Sequence, residues 1–350
     1  MTAPVTETMV AVPTKRTPFW RAPGFVRPVA LFALAIVALI IGGIISPGLP
    51  SWGVAESIVT QSLFLAVLAF GQGLVMLIGG FDLSIPGVVG LSATIVALGT
   101  SAWGWNFWVA ILIALVASAA AGFVNGYLVS QFKIPAFIIT LAMSGVLMGI
   151  TIGIGFGRQA PPSPSELVHL FSGAGKMFGI GIPVVVFIIV GVLGWLIQAR
   201  SRYGRGVYLF GSSPRTARLS GLPAMRTEIS VYMASSLAAG VGGLMLLGFS
   251  GNAQPALGQT WLMPAIAAVL VGGTIIGSGY GFWQATLMSA VLLTTISIVI
   301  GATGLSSGLK NVLYGAVVLI ALVVMSKENN LGSKIKSAFK KRNTDELAEG

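Results

Sequence analysis

Apolar residues fill this chain in long unbroken blocks rather than on one stripe of a helix, and charges, prolines and polar clusters separate the blocks. Dividing the chain at those interruptions gives ten segments, 28–46, 55–79, 84–101, 106–127, 134–155, 180–199, 228–249, 262–278, 281–302 and 307–325. A hydrocarbon core of ~30 Å is crossed by about 20 residues at 1.5 Å each, so these lengths predict transmembrane helices. The expected fold is an all-α polytopic membrane protein with about ten spans in a membrane domain at 28–325. Residues 1–27 hold Pro4, Pro13, Pro18 and Pro23 without apolar period and read as a disordered basic tail, and 326–350 read as a second basic tail.

The long break at 156–179 separates five segments from five, which orients the halves oppositely and allows an inverted 5+5 repeat with a solute site where they meet. The glycine-interrupted stretches Gly79–Gly87 and Gly272–Gly279 fall at non-matching places in the two fives, which weighs against such symmetry. On the fifth segment Gly145, Gly149, Gly153 and Gly157 recur every four residues, a spacing that lets helix backbones approach closely. Static packing is the expected use of that stripe, with a sliding seam as the other reading.

Charge sets the topology. Only 8% of residues are charged against about a quarter in soluble domains, and the net +11 sits in 1–27, in 200–226 and after 326, always beside apolar spans. That placement is explained by membrane orientation rather than by nucleic acid. Six arginines and no acid lie between Arg200 and Arg226, after which Ile229 to Leu309 pass without a charge. The excess of Lys and Arg makes that loop, Lys133 and both termini cytoplasmic and puts 156–179 outside. Trp52, Trp103, Trp105, Trp108 and Trp261 map near outer ends and Trp20, Trp195 and Trp283 near inner ends, as aromatic belts would have it. Without cysteine there is no disulfide or thiol chemistry, and the single histidine, His169, builds no metal cluster.

Between Arg27 and Lys133 the only charges are Glu56 and Asp82. An intramembrane carboxylate defaults to a functional hypothesis, so Asp82, in a glycine-rich break before Ser84 and Pro86, either lines a cavity or caps the next helix. Glu56 begins the second helix, where the helix dipole favours an acid. The remaining polar groups are neutral, and Gln72, Ser84, Asn125 and Gln254 join Asp82 as candidates for a pathway suited to a neutral polyhydroxylated solute.

The arginine loop carries a short helix specified from both ends. Ser213 can cap it, Pro214 suits its first position, Gly221 can end it and Pro223 prevents continuation. Arg215, Arg218, Leu219 and Leu222 would then offer mixed cationic and apolar contacts to a partner groove, whereas a bare topology signal would lie on anionic membrane lipid. The phosphate-cradling pattern G-x-x-x-x-G-K-[ST] is absent, since Gly175-Lys176-Met177 lacks the leading glycine and the hydroxyl residue. No cofactor is expected in this chain, and any ATP is hydrolysed on another.

Gly79-Gly80-Phe81-Asp82-Leu83-Ser84, Asn125-Gly126, Ile134-Pro135-Ala136-Phe137-Ile138-Ile139-Thr140-Leu141, Arg218-Leu219-Ser220-Gly221, Gln254-Pro255, Ala265-Ile266-Ala267-Ala268-Val269 and Gly272-Gly273-Thr274 resemble, in order and spacing, the permease subunits of ribose-type ABC sugar importers. The resemblance spans roughly 55–325 and implies a type II-like ABC importer permease of the bacterial inner membrane. It further implies a second permease copy, a periplasmic sugar-binding protein and a cytoplasmic ABC ATPase that holds ATP and Mg. Residues Pro214, Arg215, Thr216, Arg218, Leu219, Ser220, Gly221 and Leu222 would form the ATPase contact. The chain would translocate solute and make or break no bond in it. Ile85-Pro86 stands where the family usually has Val-Gly, Ser213-Pro214 where Asn-Glu precedes the docking helix, and Leu262 and Pro264 where a pair of acids is usual. Those departures leave the solute open and raise a heterodimer with a more typical permease. The competing class is a proton- or sodium-coupled secondary transporter with Asp82 as coupling carboxylate.

Overall fold

The computed structural model describes residues 23–155, 160–177, 179–303 and 308–320. Expectations for residues 1–22, Trp20, Gly157 and the 326–350 tail lie outside the described residues. The helices are α1 (Pro23–Ile45), α2 (Trp52–Leu77), α3 (Ile85–Ser101), α4 (Phe107–Phe132), α5 (Ala136–Gly155), α6 (Ser165–Phe171), α7 (Ile182–Trp195), α8 (Arg202–Ser212), α9 (Pro214–Leu219), α10 (Ala224–Ser250), α11 (Gln259–Val271), α12 (Trp283–Ala302) and α13 (Gly308–Ile320). An antiparallel hairpin of β1 (Lys176–Met177) and β2 (Ile180–Gly181) precedes α7, and one π turn, Leu196–Arg200, extends that helix.

Among the described residues, seven helices are long and apolar enough to cross a membrane: α1, α2, α4, α5, α7 with its π turn, α10 and α12. Three of the ten sequence segments, α3, α11 and, within its described residues, α13, are shorter apolar helices. At 1.5 Å per residue the 17 residues of α3 reach about 26 Å and the 13 of α11 about 20 Å, short of a full crossing. The expected eighth segment is 262–278, but α11 starts at Gln259 and stops at Val271, because Gly273, Gly277 and Gly279 all take positive φ in the loop that follows.

Other boundaries move for equally local reasons. The expected tail at 1–27 overlaps α1, which begins at Pro23, where a missing N–H costs nothing. Arg27 is held on the second turn of α1, its guanidinium donating to the Gly273 carbonyl at 3.1 Å and lying 5.6 Å from the Tyr280 ring centre. α4 runs on to Phe132, where Lys133 takes a left-handed φ of 55° and pairs with Glu228 on α10 at 3.8 Å. The 156–179 connection contains α6 and the hairpin, and 200–226 contains α8, α9 and the start of α10.

Helices α2, α3 and α10 form the interior, with every side chain from Ile85 to Gly99 buried. α10 lies against α4 through Gly122 and Gly126, where an added Cβ would stand 2.6 Å from the Tyr232 carbonyl oxygen and from Ile229 Cα. These are the glycines that bring two backbones together. Gly145, Gly149 and Gly153 on α5 instead face open space, which overturns static packing within the chain as the use of that stripe. Trp283 also departs from the belt expectation: it is 3% exposed, and its indole N–H donates to the Gly191 carbonyl at 2.8 Å, clamping α12 to α7.

Candidate functional site

One end of the bundle gathers the arginines. There α8 lays Val207 and Phe210 inward, and α9 follows as a separate helix after Ser213. The Ser213 hydroxyl accepts from the Thr216 N–H at 3.2 Å, Pro214 occupies the first position, and Gly221, at φ 79°, lets the Leu222 N–H reach back to the Ala217 carbonyl. The caps read from the sequence are therefore those the backbone uses. Only Ala217 of α9 is buried; Arg215, Arg218 and Leu219 project outward, Leu219 with 82% exposure.

No local pattern shows how α8 is tied to the membrane helices. Gly211 sits directly against the last carbonyl of α2 and against Gly279. The loop after α11 supplies the rest of that joint: Gly277 N–H donates to the Met76 carbonyl at 2.9 Å and Gly279 N–H to the Leu77 carbonyl at 3.3 Å, satisfying carbonyls that the end of α2 leaves free. Tyr208 on α8 donates to the Gly281 carbonyl at 2.6 Å. Burial pushes its phenol up to about 12, so it remains a donor throughout the physiological range. The signal available in the sequence was the Gly-Gly-Thr-Ile-Ile-Gly-Ser-Gly run; nothing local names its partners.

Asp82 lies in the break between α2 and α3 and is completely buried. Its carboxylate accepts from the Ser84 N–H at 3.0 Å, from the Ser84 hydroxyl, and from the Ser235 hydroxyl of α10 at 2.7 Å. Asn125 of α4 donates to Ser84 Oγ at 2.9 Å, and Thr140 of α5 donates to the Phe81 carbonyl at 3.1 Å. Asp82 thus supplies acceptors at the positive end of α3 and ties that break to α10, while Asn125 and Thr140 add ties from α4 and α5. Gln72 is likewise buried, with both amide atoms unpaired, as is Asn125 Oδ1. The structure therefore brings Asp82, Ser84 and Asn125 into one enclosed cluster in the bundle interior, while Gln72 is buried in α2 without a bond to any of them.

Gln254 is the pathway candidate that reaches an open face. The loop from Gly251 to Gly258 leaves α10 at the other end, where the Ala253 N–H donates to the Pro161 carbonyl, and then turns inward until Gly258 touches Pro86 and Val89 at the start of α3. Gln259 reaches Met148 Sδ at 3.6 Å, and Met148 lies seven residues, about 10 Å along the helix, inside the end of α5. Gln254, Pro255, Ala256 and Gln259 are nevertheless exposed. Irregular polar backbone at this depth is not compatible with lipid, so this face must be covered by protein or border water. Glu56, by contrast, accepts from Trp52 Nε1 at 3.0 Å and from the Gly181 N–H at 3.3 Å, pinning the hairpin to α2.

A polytopic apolar bundle with a re-entrant polar loop on one face and a capped cationic helix at one end has the construction of a membrane transport permease. Residues 54–322 match the family described as branched-chain amino acid transport system / permease component, and the chain belongs to that family. It is 32% identical over 276 residues to the ribose import permease protein RbsC of Escherichia coli K12, covering 78% of this chain and 85% of that one. It is 28% identical to the fructose import permease protein FrcC of Rhizobium meliloti, covering 76% of each chain. It is 30% identical to the autoinducer 2 import system permease protein LsrD of Klebsiella pneumoniae, over 76% of this chain and 81% of that one. No solved structure matches.

Proposed function

We propose that this chain is the translocating subunit of an ATP-driven ABC importer of a neutral sugar or polyol in the bacterial inner membrane, with both termini cytoplasmic. The observation that carries the reading is α9, a helix capped at both ends, exposed, cationic, and joined through α8 to the end of α2. Such a helix suits a groove on a cytoplasmic ABC ATPase, which binds Mg and hydrolyses ATP; this chain contributes no catalytic residue. Closure of the ATPase pair would move α9, and α8 and the Gly272–Gly281 loop would pass that movement to α2, giving alternating access. Relatives named for import of ribose, fructose and autoinducer 2 support a sugar-like cargo over the amino acids in the family's description.

The ten-span count follows if α3 and α11 complete the crossing with their flanking loops and α13 counts as the tenth span. Pairings across the halves support an intertwined inverted repeat, because α10 packs on α3 and α4 as α2 packs on α11 and α12. In that scheme the break at 78–84 corresponds to 251–258 rather than to 272–279, which removes the mismatch seen in the sequence. The exposed loop at Gln254 and the open glycine stripe of α5 share one face, suited to a second permease copy that encloses the pathway, with a periplasmic sugar-binding protein delivering solute from outside. A heterodimer remains the second assembly, and a purified complex containing two copies of this chain and no other permease would remove it. The functional reading is tested by co-purification from native membrane: recovery of an ABC ATPase and a solute-binding protein supports it, and a chain recovered alone that still moves solute overturns it.

A further inference from the structure

We infer that the cleft between α2, α11, α12 and α13 is a binding site for a hydroxylated anion of about monosaccharide size, separate from the open face at Gln254. The cavity measures about 230 Å³, below the range of drug-sized sites, and its wall includes Gln61, Thr260, Trp261, Thr294, Lys310 and Asn311.

Lys310 is the single charged residue between Glu228 and Lys327. It is half-buried, and the one ion pair among the described residues joins Lys133 to Glu228, so no described carboxylate neutralises it. Lys310 sits on the first turn of α13 with its Nζ beside Gly301 near the end of α12, and a cation left unpaired beside apolar spans commonly serves a ligand or reaches the interface. Tyr314 in the same wall donates to the Leu293 carbonyl, but several other groups around the lysine are unengaged. Thr295 and Thr60 return their hydroxyls to the carbonyl four residues earlier, as membrane threonines commonly do. Thr294, only 4% exposed, makes no such bond, and neither do Thr260, the Asn311 amide or the Trp261 indole N–H find a partner among the described residues. Gln61 uses its NH2 on Ser57 and keeps its carbonyl oxygen free. One cation, several donors, hydroxyls able to donate or accept, and an indole face therefore converge on one space. A carboxylate or phosphate would meet Lys310, and the hydroxyls of the same molecule would meet Asn311, the two threonines and Gln61.

Two sources supply that chemistry: a free sugar acid or the glycerol phosphate headgroup of phosphatidylglycerol. The test uses the full chain in nanodiscs, with gluconate as the soluble probe, glucose as the neutral control, and native mass spectrometry for retained lipid. In phosphatidylcholine discs, gluconate should bind with glucose at least tenfold weaker, and Lys310→Gln should reduce gluconate affinity at least tenfold at an unchanged melting midpoint. Asn311→Leu provides a second variant and should lower affinity several-fold. Retention of phosphatidylglycerol in a Lys310-dependent way, without gluconate binding, would assign the site to lipid. Absence of both, or anion binding that Lys310→Gln and Asn311→Leu leave unchanged, overturns the proposal. The assay is an equilibrium measurement without ATPase, so its failure leaves the importer reading standing, and failure of that reading leaves this site standing.

Discussion

Asp82 commits both carboxylate oxygens to neighbours, and its loss is felt first as stability. Hydrogen bonds to a charged group contribute about 1.5–3 kcal/mol each, so Asp82→Ala, which frees Ser84 and Ser235 inside the bundle, should cost at least about 3 kcal/mol. Asp82→Asn, retaining one acceptor, should fall between. Thermal midpoints in detergent check this; normal midpoints with transport abolished would restore the residue to the pathway. Gly80 offers a second test at this scale, because a Cβ there would overlap the Tyr232 hydroxyl. Gly80→Ala should destabilise by about 1–3 kcal/mol, and Tyr232→Phe in the same chain should recover part of that, a coupling that a double-mutant cycle measures. The sequence made Asp82 stand out because carboxylates are rare there, yet its partner Ser235 lies 153 residues away, and Asn125, which donates to the neighbouring Ser84, is 41 residues from that serine; both are set by helix packing.

At the scale of elements, α9 was legible because capping is local: Ser213, Pro214 and Gly221 act within their own turn. Replacing Ser213 with Ala should weaken that helix by about 1 kcal/mol. Arg218→Glu should abolish ATPase association while membrane insertion stays normal, whereas a mere topology signal would yield altered orientation, read out by accessibility labelling. Tyr208→Phe removes the tie to Gly281 and should uncouple ATP hydrolysis from uptake more than it lowers the melting midpoint. The sequence placed α3 to within a residue, but it did not show where α11 starts and stops or the order inside the two long connections. Apolar composition sets where a helix lies; the glycine turns and inward loops that shorten it depend on contacts from distant segments.

The whole molecule presents one face unlike the rest. Along α1 and α7 exposed Ile, Val and Leu meet lipid, but α5 shows Gly145, Gly149 and Gly153 beside the exposed polar loop at Gln254. The chain has no cysteine, so Gly149→Cys introduces a single thiol, and two copies facing each other should cross-link in native membranes, while Ile40→Cys on the lipid side of α1 should not. Failure at position 149 in a complex that contains a second permease species would favour the heterodimer.

The most direct test of the translocating role is solute uptake into proteoliposomes holding this chain, its co-purified ATPase and the binding protein. Uptake should require ATP inside and the binding protein outside, be lost in Arg218→Glu, and be indifferent to a pH or sodium gradient. Uptake by the chain alone, driven by either gradient without ATP, would contradict it.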